Sequence, residues 1–148
     1  MERDPLTNGV YKVELEGVGE IVFTECSGLK SETEVVELWE GGENAFVHKF
    51  IGNTKSGNIV LKHGMGPGTS ALYKLRESVI FSQKQHRFDG AIVLLDDQQR
   101  ERWRWPFKNG FVCRWEGPVL KGQGNTIAVE TLEIAASFPS PVIPALPE

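Results

Sequence analysis

VYKVELEGVGEIVFTEC, residues 10–26, decides the type of structure within its first seven positions. Tyr11, Val13 and Leu15 alternate with Lys12, Glu14 and Glu16. A period of two places the apolar side chains on one face of a strand and the charged ones on the other. Gly17-Val18-Gly19 supplies a turn, and residues 20–26 read as the return strand of a hairpin.

The same pattern extends towards the C-terminus. Residues 31–39 (SETEVVELW) form a long strand rich in Glu and Val, with imperfect alternation. Glu40-Gly41-Gly42-Glu43-Asn44 ends it as a polar, glycine-rich surface loop. Residues 46–51 resume as a strand, residues 52–57 turn, and residues 58–63 (NIVLKH) form another strand. One helix follows the Gly66-Pro67-Gly68 breaker, with Thr69 or Ser70 as N-cap. Leu72, Leu75, Val79 and Ile80 recur at helical spacing, which predicts a helix over 69–83 with its apolar stripe on the sheet.

Residues 90–95 (GAIVLL) are almost wholly apolar and read as a central strand. A polar turn at 96–99 leads into residues 100–107, where Arg102 and Arg104 alternate with Trp103, Trp105 and Phe107. Lys108-Asn109-Gly110 reads as a turn. Residues 111–116 and 125–137 are the closing strands, separated by a loop over 117–124. Pro106 removes a ladder hydrogen bond, so its strand is locally an edge or a bulge. About eight strands and one helix predict a mainly β fold of two packed antiparallel sheets, a sandwich or barrel. The domain runs from 1 to 138. Residues 139–148, PSPVIPALPE, carry four prolines and read as an extended tail.

Composition narrows the function classes. The chain has 148 residues, 40% of them hydrophobic and 24% charged, as a soluble globular domain has. Net charge is −4 with no basic run, which argues against duplex nucleic acid as a direct partner. Residues 1–9 (MERDPLTNG) lack the apolar core of a secretion signal, and no apolar run is long enough to span a bilayer. These features predict a cytoplasmic start and no membrane anchor. Cys26 and Cys113 are read as reduced, buried thiols, although sequence does not exclude a disulfide.

A search for chemistry finds little. His48, His63 and His86 lack the spacing of a metal pair and read as ordinary strand or surface histidines. Asp96 and Asp97 are adjacent, so on a strand they point to opposite faces and read as turn residues. No nucleophile elbow or phosphate loop is present. The expectation is a protein without catalytic residues, cofactor or metal. Trp103, Trp105, Trp115 and Phe107 form an aromatic cluster that belongs to the core or to a subunit interface. The arginines opposite it are read as a solvated face, or as partners for Glu residues of a neighbouring subunit.

The order of motifs adds a resemblance. Ser27-Gly28-Leu29, the acidic Val-rich strand at 34–40, Gly41-Gly42-Glu43-Asn44, the basic-aromatic 48–50 and the Lys55 to Gly64 run follow one another. Arg104-Trp105, Phe107, Asn109, Trp115, Gly117-Pro118, Leu120, Asn125, Ala128 and the acidic run at 130–133 continue the series. Together these resemble the tail tube proteins of contractile phages and phage-tail-like injection systems, the Hcp-like tube fold. The resemblance implies hexameric rings, stacked into a hollow tube that sheath contraction drives through a target envelope. It implies partners too: further copies, a sheath protein, baseplate hub, spike and tube-initiator proteins, and protein or DNA cargo in the lumen. Assembly would take place in the cytoplasm, with the finished particle in some systems released from the cell. Glu40, Gly41, Gly42, Glu43, Asn44, Ala45 and Phe46 would make the ring-to-ring contact. The alternative is a related ring that does not stack, either a baseplate tube initiator or a secreted type VI ring carrying effectors.

Overall fold

Seven strands of the computed structural model form one antiparallel sheet whose two edge strands are almost consecutive in the chain. The structure describes residues 11–39, 47–66, 68–81 and 87–137. In sequence the strands of this sheet are β1 (Tyr11–Leu15), β2 (Gly19–Ile21), β3 (Glu25–Ser27), β6 (Ile59–Gly64), β7 (Phe88–Leu95), β8 (Glu101–Glu116) and β9 (Val129–Ser137). The spatial order is β2-β1-β7-β8-β9-β6-β3. Among the described residues two strands, β4 (Ser31–Trp39) and β5 (Val47–Ser56), pair only with each other, and one helix, α1 (Thr69–Phe81), lies between β6 and β7 in the chain.

Only Val22, Phe23 and Thr24 separate edge strand β2 from the opposite edge β3. Three residues bridge at most roughly 14 Å, so the sheet must curl until its edges meet. The Thr24 amide donates to the Lys62 carbonyl at 2.8 Å and pins the crossing, while Phe23 is driven into the core. The expected return strand over 20–26 is therefore two short strands on opposite edges. The two packed layers read from the sequence are the two halves of one folded sheet.

The fold line is β8. Its first part pairs with β7, and β9 joins only at Lys108, opposite Ser137. Register shifts at Lys108/Phe111 and Val112/Arg114 mark bulges there, and Asn109 adopts φ 55°. Bulges bend a strand and sharpen its twist. Asn109-Gly110, expected to reverse the chain, instead bends a single 16-residue strand from one layer into the other. Among the described residues, 101–107 have β7 as their only ladder partner, which is how Pro106 is accommodated.

The layers meet over Val13 and Leu15 of β1, Phe88 and Ile92 of β7, Ile59 and Leu61 of β6, and Leu132 and Ile134 of β9. Phe107 sits among them, 1% exposed. Its ring crosses the backbone at Gly90, where a Cβ would lie 2.5 Å from both Phe107 Cζ and the Glu14 carbonyl. Only glycine leaves that space.

Helix α1 packs across β8. Leu72 is fully buried, and Arg76 Nη1 donates to the Val112 carbonyl at 3.1 Å. Ile80, assigned to the buried stripe from its spacing, instead faces out at 49% exposure. The helix begins one residue earlier than a Thr69 cap requires, at Thr69 itself. The Gly68 carbonyl accepts the Leu72 amide, and the Thr69 hydroxyl accepts from the Gly66 amide. The predicted extension to residue 83 lies outside the described residues, as do His86 and the 139–148 tail.

Candidate functional site

The β4–β5 hairpin is an arm. All nine residues of β4 are exposed, as are eight of the ten in β5. It is longer than the sequence pattern suggested, because β5 continues through residues 52–56 instead of turning there. The cross-strand register explains this. Ser31, Glu32 and Thr33 stand opposite Ser56, Lys55 and Thr54, with the two threonine hydroxyls 2.9 Å apart. Between Thr33 and Val35 the register shifts, and β5 inserts one extra residue. Gly52 makes that bulge possible, since a Cβ there would come within 2.9 Å of the Glu34 carbonyl.

Beyond the bulge both faces of the ribbon are apolar. Val35, Ile51, Trp39 and Val47 share one face, with Glu37 and Lys49 opposite each other between them. Val36, Phe50 and Leu38, with His48, share the other. Ile51 is 89% exposed and Trp39 69%. A strand that lies on a core has one wet face; this one exposes apolar side chains on both. Apolar clusters of this kind mark interaction surfaces. Burying such side chains is worth roughly 1.5–3 kcal/mol each. The arm's outer backbone edges also find no strand partner among the described residues, and open edges recruit further strands. The loop expected to make ring-to-ring contact, Glu40 to Phe46, is the connection between β4 and β5 and lies outside the described residues.

The aromatic cluster divides. Phe107 is core. Trp105 and Trp115 are partly buried against the core, and Trp103 leans on Trp105 with ring centroids 5.8 Å apart. Trp103 Nε1 is buried without a hydrogen-bond partner among the described residues. The opposite face is a charged layer closed upon itself. Arg104 Nε donates to Glu101 at 2.6 Å and Arg104 Nη2 to Glu14 at 3.1 Å. Lys12 pairs with Glu20 at 2.9 Å, and Arg102 lies 3.8 Å from Asp96. These long side chains cover Ala91, Val93 and Leu95 from above. Arg104 and Arg102 thus have acidic neighbours in their own chain. The hydrogen bond from Arg104 holds the Glu101 carboxyl below its usual value. Asp96 builds the turn before β8, accepting from the amides of Gln98 and Arg100.

One buried polar group has no counterpart in the sequence reading. Glu130 is fully buried; it accepts from Trp115 Nε1 at 2.8 Å and meets His63 Nδ1 at 3.3 Å. His63 is accordingly a half-buried partner, not a surface residue. The strict alternation of residues 129–134 carried the signal, because it places Glu130 on the same face as Leu132 and Ile134. The thiols are free. Burial pushes Cys26 up to about 11, and Cys113 is also raised, chiefly by burial and by its contact with Glu133. Among the described residues no group of three or more His, Cys, Asp or Glu side chains could hold a metal ion, and no helix is long and apolar enough to cross a membrane.

A curled β body whose charged layer pairs largely within itself, joined to an arm that exposes apolar side chains on both faces, suits a structural subunit. Over residues 7–137 the chain matches the family of the T4-like virus tail tube protein gp19, and it belongs to that family. Among solved structures it is similar to a chain of the PVC extracellular contractile injection system in its extended sheath–tube complex. Identity there is 26%, covering 91% of this chain and 89% of that one, with a TM-score of 0.80. A chain of the cap terminating the anti-feeding prophage tube is 25% identical, covering 93% and 90%, with a TM-score of 0.80. Hcp1 from Flavobacterium johnsoniae shares the fold at 13% identity, covering 85% and 89%, with a TM-score of 0.53. No match was found among curated proteins. The resemblance read from the ordered motifs between Ser27 and Glu133 therefore holds, and the protein is a tail tube protein of the contractile type.

Proposed function

We propose that this chain is the inner-tube protomer of a contractile tail or injection system, structural and not enzymatic. Six copies close a ring, the rings stack into a hollow tube, and contraction of a surrounding sheath drives the tube through a target envelope with its cargo. The sheath, the baseplate hub and spike, and a tube-initiating ring are its other partners. Assembly belongs in the cytoplasm, and the particle carries the protein outward. The observation that carries this reading is the arm, apolar on both faces and exposed along its length. Its occupants are other copies of the chain, since a flat ribbon needs a neighbour on each side. Rotational closure also removes the open strand edges. The loop from Glu40 to Phe46, at the far end of the arm, makes the contact between rings.

A second reading is a ring that ends or begins a tube without extending it, or a secreted type VI ring. The equal likeness to the tube-terminating cap favours it. Negative-stain microscopy of the purified chain over a range of concentrations separates the two. Stacked six-membered rings are expected. Single rings at every concentration favour the second reading, and a monomer throughout sinks both. Deleting residues 41–44 is expected to leave rings that no longer stack.

A further inference from the structure

The two ends of the body differ chemically. β9 marks them: Val129 stands opposite Gly64 at one end, and Ser137 opposite Lys108 at the other. Eight residue steps of strand place these ends roughly 26 Å apart. At the Val129 end an open groove of about 500 Å³ is lined by Met65, Gly66, Thr69, Ser70, Tyr73 and Trp115. Its aromatic wall is fixed from behind. Tyr73 meets Trp115 edge-on, with centroids 5.0 Å apart, and the Trp115 indole N–H is held by buried Glu130. The rim is apolar as well. Ile127, 79% exposed, lies beside Gly64 at this end. The Met65 amide donates to the Ala128 carbonyl at 2.8 Å, which ties this rim to the groove.

At the Ser137 end the chain continues into residues 138–148, FPSPVIPALPE, beyond the residues shared with the tube family. Pro139, Pro141, Pro144 and Pro147 bar this segment from a sheet interior and favour polyproline II. Val142, Ile143, Ala145 and Leu146 give it an apolar side. Aromatic-lined grooves recognise such segments because a pre-extended peptide loses little entropy on binding. Reach decides whose groove is used. Leu146 lies at most about 28 Å from Ser137 in polyproline II. To enter its own groove the segment would have to double back along the whole of β9 at full stretch. In a head-to-tail stack with β9 along the stack, the groove of the next copy lies ahead.

We infer that the proline-rich segment of one copy docks in the Tyr73–Trp115 groove of the copy stacked on it, a strap from ring to ring. This rests on the stacked reading proposed above. The test places a cysteine pair in the full-length chain, Met65→Cys with Leu146→Cys. Mild oxidation is followed by a non-reducing gel, with each single variant as control for the native thiols and microscopy of the same sample. A ladder of dimers, trimers and longer species, present only in the double variant and lost on adding Tyr73→Lys, is the expected result. Tubes on the grid without a ladder, or a bond confined to the monomer band, overturn the strap alone. Neither tubes nor a ladder removes the stacked reading with it.

Discussion

The curled body and the β4–β5 arm draw on the same residue types and treat them in opposite ways. Val13, Ile92 and Ile134 of the body are at most 2% exposed, whereas Val35 and Ile51 of the arm are 58% and 89% exposed. In the body the inward residues share one core, and Lys12, Arg104 and Arg114 pair with acidic side chains of the body. In the arm both parities are apolar and neither face is covered. The body is folded for its own stability. The arm is folded by its cross-strand ladder and left for others to bury, so mutations in the two regions should separate folding from assembly.

Phe107→Ala should have the largest effect on folding. It empties the centre of the core above Gly90 and should cost about 3–5 kcal/mol, read as a lowered midpoint in urea. Glu130→Ala comes next at about 2–3 kcal/mol, because it strands the Trp115 indole N–H and His63 in a dry interior. Glu130→Gln should cost less, since its carbonyl can still accept from Trp115; equal losses would show that charge matters there more than the hydrogen bond.

The charged layer should matter less. Arg104→Ala should cost about 1 kcal/mol or below, the scale of partly exposed pairs. Its pH dependence has a definite sign. The Glu101 carboxyl is held below its ordinary 4.5 in the folded chain. Its contribution is therefore complete above 4.5 and fades as pH falls through the lowered folded value. The stability difference between the parent and Glu101→Gln should be widest near neutrality and close in acid.

Ile51→Glu should have the smallest effect on folding, within about 0.5 kcal/mol of the parent in dilute solution. It should nonetheless abolish rings by sedimentation. If it unfolds the monomer, the arm is part of the core after all.

Much of this was legible in the sequence where period and burial agree. The alternation of Tyr11 to Glu16 gave β1, and the apolar run from Ala91 to Leu95 gave β7. The ordered motifs gave the family. Local signals failed where distant pairing overrode them. Asn109-Gly110 looks like a hairpin turn, but ladders on both sides of it keep the strand going. Gly52 looks like a turn and is a bulge in a ribbon. Residues 20–26 look like one strand, yet closing the sheet divides them. The arm was half visible: the doublets Val35-Val36 and Phe50-Ile51 break the alternation, as two apolar faces must. Nothing local told that the arm would stand free of the body, because that depends on which strands β7 and β9 had already taken.

β8 has a mechanical consequence. The 16 residues of β8 trace roughly 50 Å of strand, bent at Asn109, and among the described residues β8 is the one strand with ladders into both layers. A load applied along either half is carried in shear, so the bonds of that half, to β7 or to β9, must fail together. A load across it would peel them one at a time. The curled body is thus stiff in one direction and weak in another, and a particle that pushes its subunits in file gains most when that file lies along β8.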